Sequence, residues 1–270
     1  RVNDASQAFA RAVSLGAKPA MTSVGPMELN IPAIEGIGGS LIYLVDRRGT
    51  ASIYDIDFVF ESAGNGPKAE GGLAEIDHLT HNVERGHMDK WAGFYERLFN
   101  FQEVRYFDIE GKLTGLKSRA MTSPCGLIRI PINESSDDKS QIEEYLREYK
   151  GEGIQHIALS TNNIYKTVDA LRQLGVKFQS APPDTYYDAL SERVGANNED
   201  IPGLKARAIL MDGGDGAGLL LQIFTENMIG PIFFEIIQRK GNEGFGEGNF
   251  KALFESIERD QIRRGVLTDK

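Results

Sequence analysis

A gapless internal repeat constrains the fold of this chain more than any other feature of its sequence. VNDASQAFARAVSLGAK at residues 2–18 aligns with TNNIYKTVDALRQLGVK at residues 161–177. Apolar side chains recur in both segments at the spacing of one helix face. Both segments end at a Leu-Gly pair, and glycine is the favoured residue at a left-handed helix cap. Residues 87–100 carry Met, Trp, Tyr and Leu at the same spacing, so we predict three equivalent helices.

Strand-like runs surround these helices. LIYLV and SIYDIDFVF follow the first helix, VRYFDI, LTGLKSRAM and LIRIPI follow the second, and ARAILMD, LLLQIF and FFEIIQR follow the third. IDHLTH precedes the second helix and GIQHIALS precedes the third. The recurring unit is therefore βαβββ, and we expect a chain that begins inside its first unit. Clusters of Gly, Asn and Pro predict a linker at residues 62–72, and an acidic, Asn-rich stretch predicts a loop at residues 192–203.

Two histidines and a glutamate lie at nearly equal intervals, each inside a predicted strand. His78, His156 and Glu235 are separated by 78 and 79 residues. Two imidazoles and one carboxylate are the ligand set of a non-heme Fe(II) site with open coordination positions. Glu235 alternates with Phe and Ile, and a carboxylate among apolar side chains is costly unless it is paired or metal-bound. The alternative is that the histidines are hydrogen-bonded core residues and that Glu235 pairs with Arg239 or a lysine.

Charge and cysteine content exclude several classes of protein. The net charge of −9 and the pI near 5.1 argue against nucleic-acid binding, which needs clustered Lys and Arg. A single cysteine, Cys125, cannot form an intramolecular disulfide and fits a reducing cytosol. No apolar run approaches the ~20 residues of a membrane span, and the first residues predict an amphipathic helix rather than a signal peptide. We expect a cytoplasmic protein that binds neither nucleic acid nor a membrane.

Six motifs carry a family resemblance. IDHLTHNV, GEGIQHIAL, PPDTYY, LLLQIFTE, FFEIIQRKG and FGEGNFKALFESIERDQ occur in this order. On these motifs, and over essentially its whole length, the chain resembles the bacterial 4-hydroxyphenylpyruvate dioxygenase family of the vicinal oxygen chelate superfamily. The resemblance implies an α+β fold in which repeated βαβββ modules form half-open barrels, with the first module missing. It also implies the remainder of a non-catalytic domain at residues 1–70 and a catalytic domain at residues 71–270 that ends in a lid helix.

The resemblance implies a particular reaction. The family converts 4-hydroxyphenylpyruvate, an aromatic 2-keto acid, and O2 to homogentisate and CO2 in tyrosine and phenylalanine catabolism, with Fe(II) as cofactor. Two alternatives stay open: hydroxymandelate synthase, which oxidises the benzylic carbon of the same substrate, and a metal-free protein that only binds a ligand. Bacterial members of the family suggest a homo-oligomer, either a dimer or a tetramer.

The resemblance also assigns roles to residues. His78, His156 and Glu235 match the iron ligands, whereas His81 does not, and its odd separation from His78 turns it to the other strand face. The residues that match catalytic positions are Gln141, Gln155, Gln222 and Asn249. Those that match substrate contacts are Ser118, Asn133, Phe224, Phe233, Phe245, Phe250 and Phe254, although Phe233 and Phe254 equally suit core packing.

Two of these assignments depend on local backbone geometry. Gln155 neighbours His156 and should face away from it unless a bulge turns the strand. Glycines 241, 244, 246 and 248 precede an amphipathic C-terminal helix and could form the hinge of the lid. The alternative is a helix that stays packed on the barrel.

Overall fold

The computed structural model describes residues 1–21, 24–25, 28–46, 53–59, 71–110, 113–214 and 216–267. For some of these residues, Phe250 and Phe254 among them, only the backbone is described. The chain divides into two compact units. The first comprises Arg1–Lys68 with Phe94–Asn100, and the second comprises Ala69–Gly93 with Phe101–Lys270.

The first unit is built around one helix and a β-hairpin. Its elements are α1 (Ala5–Ser14), β1 (Ala33–Glu35), β2 (Leu41–Tyr43) and the single turn α2 (Tyr54–Asp57). Apolar side chains of α1 and β1 pack with Leu98 in a small core. The prediction of a strand in SIYDIDFVF is wrong over α2, where two aspartates, which are poor strand formers, lie in a helical turn. The rest of that run falls partly outside the described residues.

The second unit contains one eight-stranded sheet whose order, β4-β5-β6-β3-β7-β10-β9-β8, is symmetric about its centre. The central strands β3 and β7 are antiparallel, and each pairs on its other side with a parallel strand, β6 or β10. The strands are β3 (Leu73–Val83), β4 (Gln102–Glu110), β5 (Gly115–Thr122), β6 (Arg129–Ser135), β7 (Gly153–Thr161), β8 (Leu210–Gly213), β9 (Leu219–Phe224) and β10 (Phe233–Lys240). The predicted α+β fold of repeated βαβββ modules is confirmed.

Seven helices are described from residue 88 onward, and the first of them, α3, is divided between the two units. They are α3 (Met88–Phe99), α4 (Gln141–Tyr149), α5 (Ile164–Gln173), α6 (Asp184–Asp188), α7 (Leu190–Val194), α8 (Ile201–Arg207) and α9 (Glu247–Arg263). The repeat predicted α5 and its C-terminal glycine, and the structure adds equivalent N-caps. Asn163 accepts a hydrogen bond from the backbone N–H of Lys166, as Asp4 does from that of Gln7 in α1, and Gly175 follows α5 at φ +88°.

One expectation about the connections between strands needs correction. The loop predicted at residues 192–203 is partly helical, because α7 and α8 bury Leu190, Val194 and Leu204 against α5 and the sheet. Helix α4 was not predicted, although its buried Ile142 packs against Leu116 of β5. The predicted linker at 62–72 lies outside the described residues except for its last two positions.

Candidate metal centre

His78, His156 and Glu235 lie on the adjacent strands β3, β7 and β10. Ala158 of β7 pairs with both His78 and Glu235, so only a methyl group stands between these two side chains. His78 Nε2 and His156 Nε2 are 3.4 Å apart, and each lies 3.3 Å from Glu235 Oε2. The three residues are 2–5% exposed. The structure therefore brings three potential metal ligands together in the interior.

A pseudo-two-fold relation between the modules explains why three ligands, and not four, converge. A shift of 78 residues carries His78 of β3 onto His156 of β7. His156 pairs with Phe233 of β10, and Glu235 lies two residues further along that strand. His78 pairs with Arg129 of β6, and Pro131 lies at the equivalent position, two residues further along. Proline offers no ligand atom on its side chain, and Pro131 lines the same small cavity as the triad. An open side of this kind suits a metal that must also bind reactants.

Two β-bulges orient the imidazoles. The register between β3 and β7 skips Asp77 on one strand and Gln155 on the other, and these two positions are again related by 78 residues. Asp77 Oδ1 lies 2.9 Å from His78 Nδ1, and Gln155 Oε1 lies 3.0 Å from His156 Nδ1. A bulge re-aims a side chain that simple alternation would turn away. Each Nδ1 thus has an acceptor, which leaves Nε2 facing the centre of the triad.

The charges of the site are set by burial and by the three partners. Burial alone would raise the pKa of Glu235, but the two imidazoles outweigh it and lower that pKa to about 2. Burial would likewise lower the pKa of His78, but Glu235 and Asp77 raise it to about 9. Burial lowers the pKa of His156, and it lowers that of His81 to about 4. The carboxylate is ionised and His156 is neutral, which are the forms that bind a metal.

Gln222 and Asn249 form a second layer of hydrogen bonds around Glu235. Gln222 Nε2 donates to Glu235 Oε1 at 2.8 Å, and Asn249 Nδ2 donates to Gln222 Oε1 at 2.8 Å. Tyr186 donates to Asn249 Oδ1 at 2.7 Å. Gly246 has φ +74°, and a Cβ on it would collide with Gln222 Oε1. The carboxylate is therefore fixed by a chain of amides that ends on helix α9.

Aromatic rings surround the triad. Phe233 stacks on His156 with centroids 4.9 Å apart, and Phe224 meets the same imidazole edge-on at 6.3 Å. Phe245 lies 6.2 Å from His78. The predicted contacts of Phe250 and Phe254 fall outside the described side chains. The cavity enclosed beside the triad has a volume of about 20 Å³, which suits a water molecule.

A row of buried polar residues crosses β5, β6 and β3 on the triad's side of the sheet. Ser118 pairs with Asn133, and Asn133 pairs with Asn82. Among the described residues, Ser118 Oγ, Asn133 Oδ1 and both amide atoms of Asn82 find no hydrogen-bond partner, and Thr80 Oγ1 beside them also lacks one. Ser118 and Asn133 were predicted. Asn82 and Thr80 were missed, although alternation from His78 places both on its face.

Gln141 and Gln155 line a second, larger cavity of about 470 Å³. Helices α4 and α9 and the connection between β9 and β10 bound this cavity. Phe233, whose ring stacks on His156, also lines it. The structure thus places the two glutamines at a cavity that adjoins the triad through Phe233.

The fold and the buried histidine–glutamate set define a class of metal-binding barrel proteins. Residues 75–196 match the profile of the glyoxalase, bleomycin resistance protein and dioxygenase superfamily. Residues 1–59 match the profile of the N-terminal part of hydroxyphenylpyruvate dioxygenase. No helix among the described residues is long and apolar enough to cross a membrane.

Comparison with individual proteins narrows the class to one family. The chain is 65% identical to a 4-hydroxyphenylpyruvate dioxygenase of Pseudomonas aeruginosa, over 99% of the chain and 75% of that protein. It is 66% identical to hemolysin VllY of Vibrio vulnificus, over 100% of the chain and 76% of that protein. A solved mutant of 4-hydroxymandelate synthase from Streptomyces coelicolor has a TM-score of 0.81 at 30% identity, with 96% of this chain and 75% of that one covered. The chain belongs to the 4-hydroxyphenylpyruvate dioxygenase family.

Proposed function

We propose that this chain is an Fe(II)-dependent dioxygenase that converts 4-hydroxyphenylpyruvate and O2 to homogentisate and CO2 in tyrosine catabolism. The observation that carries the proposal is the buried triangle of His78, His156 and Glu235, in a chain that is 65% identical to a relative of that name. Four of the first five relatives in order of similarity bear the same name.

The donor set fits Fe(II). The three ligand atoms lie 3.3–3.4 Å apart, near the ~3 Å expected between neighbouring ligands at right angles around a divalent ion with bonds of ~2.0–2.2 Å. Two imidazoles and one carboxylate on one face are typical of Fe(II) oxygenases, and Pro131 leaves the fourth position without a ligand. When bound there, Fe(II) supplies positions at which a 2-keto acid chelates and O2 is activated.

The protein contributes a dry and shaped surrounding for that chemistry. Phe224, Phe233 and Phe245 line the triad with rings and exclude water from the reacting groups. An aromatic substrate fits such walls because rings stack or meet edge to face. We propose that Phe250 and Phe254 extend this wall from helix α9.

Polar residues orient the substrate. Ser118 Oγ and Asn133 Oδ1 have no hydrogen-bond partner among the described residues. Buried polar groups are rarely left unpaired, so we propose that both atoms form hydrogen bonds to the substrate. We propose that Gln141 and Gln155 contact the phenolic end from the larger cavity. Gln222 and Asn249 hold Glu235 in place, so that the carboxylate keeps one orientation during turnover.

We further propose that residues 71–270 form the catalytic domain, with α9 as the lid, and that residues 1–70 belong to a non-catalytic domain. The homo-oligomer, dimer or tetramer, remains a prediction that light scattering tests. The cytoplasmic location likewise remains a prediction.

Hydroxymandelate synthase is the second candidate, because a mutant of such an enzyme shares the fold with a TM-score of 0.81. Identity is 30% to that protein and 65% to the dioxygenase, which favours the dioxygenase. The two activities consume the same substrate and differ in product, so chromatography separates them.

The test is O2 consumption by Fe(II)-loaded protein supplied with 4-hydroxyphenylpyruvate, with identification of the product. We expect homogentisate, and we expect His156→Ala to abolish its formation. His87→Ala is a matched control, because His87 is half-exposed and pairs with Glu152 away from the triad. Hydroxymandelate as the product would favour the second candidate. Ligand binding without iron or O2 uptake would favour a metal-free binding protein.

A further inference from the structure

The carboxylate of Asp77 is shared between a proposed metal ligand and a buried arginine. Asp77 Oδ1 accepts from His78 Nδ1 at 2.9 Å. Arg239 forms a bidentate ion pair with the same carboxylate. Its Nε donates to Oδ2 and its Nη2 donates to Oδ1, each at 2.8 Å. The side chains of Asp77 and Arg239 are 6% and 14% exposed. A bidentate pair of this kind fixes both position and orientation.

The third nitrogen of Arg239 binds a different part of the chain. Nη1 donates to the backbone carbonyls of Asn242 at 3.1 Å and of Gly244 at 2.6 Å. These carbonyls belong to residues 242–246, the glycine-rich segment between β10 and helix α9. The guanidinium of Arg239 therefore connects the partner of His78 to the segment that leads into the proposed lid. Arg129 makes a second, longer link, since its Nη1 lies 3.8 Å from Asp77 Oδ2 and its Nη2 donates to Glu243 Oε2 at 2.6 Å.

The same segment also contacts the triad directly. Phe245 meets the imidazole of His78 edge-on, at 6.2 Å. Gly246 approaches Gln222 too closely for any side chain at its position, and Gln222 holds Glu235. The segment 242–246 thus contacts His78 directly and reaches Glu235 through Gln222.

The pseudo-two-fold relation shows that this arrangement is specific to one histidine. The position equivalent to Asp77 is Gln155, a neutral amide that serves His156 and lines the larger cavity. For Gln155, the structure gives no hydrogen bond to a cation among the described residues. Of the two histidines, His78 is the one whose partner forms an ion pair that reaches the C-terminal segment in the described part of the chain.

We propose that Asp77 and Arg239 form a positioning pair that couples the metal centre to the segment 242–246. The pair holds His78 with Nε2 toward the metal and holds the segment closed over the site. Metal binding and closure of the segment then stabilise each other, since coupling between two sites is reciprocal. The inference rests on the proposed metal site and assigns two residues that act through His78 and the lid.

Loss of such an outer partner lowers metal affinity by about 10–100-fold in other metal sites. We expect that loss in Arg239→Gln, which removes the bidentate bridge and leaves the longer contact of Arg129 with Asp77. We expect a smaller loss in Asp77→Asn, which keeps an acceptor for His78. Asp169→Asn is the matched control, because Arg207 grips Asp169 with the same bidentate geometry, at 2.9 and 2.7 Å, between α5 and α8.

Two measurements on the intact chain test the coupling. Competition with a chelator gives the affinity for Co(II) and Zn(II). Hydrogen exchange of the backbone amides of residues 242–249 is then compared with and without metal. In the wild type and in Asp169→Asn, we expect metal to slow exchange in this segment. In Arg239→Gln, we expect fast exchange whether or not metal is present.

The possible outcomes separate the two levels of the proposal. A wild type that binds neither metal would refute the proposed metal site itself. A wild type that binds metal, with Arg239→Gln matching it in affinity and in metal-dependent exchange, would overturn the coupling alone. If Arg239→Gln does not fold, Arg239→Lys decides, because lysine keeps the charge but cannot bridge the carboxylate and the two carbonyls. Unchanged affinity and exchange in that variant would also overturn the coupling.

Discussion

Replacement of Gly246 by alanine tests how closely the C-terminal segment is fitted to the metal centre. Gly246 has φ +74°, a region that costs a residue with a Cβ about 1–2 kcal/mol. The new methyl group would also collide with Gln222 Oε1. Gln222 must then move, although it donates to Glu235 and accepts from Asn249, both at 2.8 Å.

The chain offers a matched control for the backbone cost. Gly175 has φ +88°, and no atom lies within 4 Å of the Cβ that alanine would add there. We therefore expect Gly175→Ala to lower the free energy of unfolding by about 1–2 kcal/mol. In Gly246→Ala, disruption of the buried amide bonds adds about 1–3 kcal/mol, for a total of about 2–5 kcal/mol.

Urea unfolding of the metal-free variants measures these differences, and kcat/KM of the Fe(II)-loaded forms measures their effect on the site. We expect Gly175→Ala to keep wild-type kcat/KM and Gly246→Ala to lose about 10–100-fold, equivalent to roughly 1.4–2.8 kcal/mol. Equal losses of stability in the two variants, together with unchanged kcat/KM in Gly246→Ala, would refute the role of Gln222 as the support of Glu235.

Three further predictions concern polar groups that are buried or partly buried. The pKa of His78 is raised to about 9. Its contribution to the stability of the metal-free protein is therefore complete below the unfolded pKa of 6.5 and is lost as pH rises through 9. Metal binding near pH 7.5 should release a proton from His78, which calorimetry in buffers of different ionisation enthalpy detects. Burial would raise the pKa of Glu152, but hydrogen bonds from Trp91 and His87 lower it, so Glu152→Gln should cost stability above pH 4.5 and progressively less in urea melts at more acidic pH. Asn82→Leu removes a buried amide without partners, so unfolding should show equal or greater stability while KM for the keto acid rises; a marked loss of stability would contradict this reading.

The sequence contained enough to predict the module and the order of its elements. Helix periodicity, the Leu-Gly caps and the apolar runs marked α1, α3, α5 and the eight strands of the large sheet, because each is a local pattern. SIYDIDFVF misled the prediction, since its apolar residues suit a strand and its aspartates do not. Helix α4 was not predicted, because it contains more charged residues than buried apolar residues.

Only those parts of the site that depend on residue spacing and on the alternation of side chains along a strand could be predicted from the sequence. Nearly equal spacing singled out His78, His156 and Glu235. The repeated module accounts for the two histidines, which lie on the equivalent strands β3 and β7, whereas the equivalent of Glu235 is Pro131 on β6. The contacts of Asp77 and Gln155 with the imidazoles depend on two β-bulges. These bulges arise from the pairing of β3 with β7, so the sequence of either strand alone does not predict them. The grip of Arg239 on Asp77 joins positions 162 residues apart and was visible only in the fold.

The most direct test of the central claim is the fate of O2. Fe(II)-loaded protein is supplied with 4-hydroxyphenylpyruvate under O2 labelled with a heavy oxygen isotope, and mass spectrometry measures the incorporation of the label into each product. We predict homogentisate that carries both heavy oxygen atoms, formed together with unlabelled CO2 and absent when Glu235→Ala replaces the wild type. Homogentisate without the heavy isotope, or the same labelled product from Glu235→Ala, would contradict a dioxygenase built on His78, His156 and Glu235.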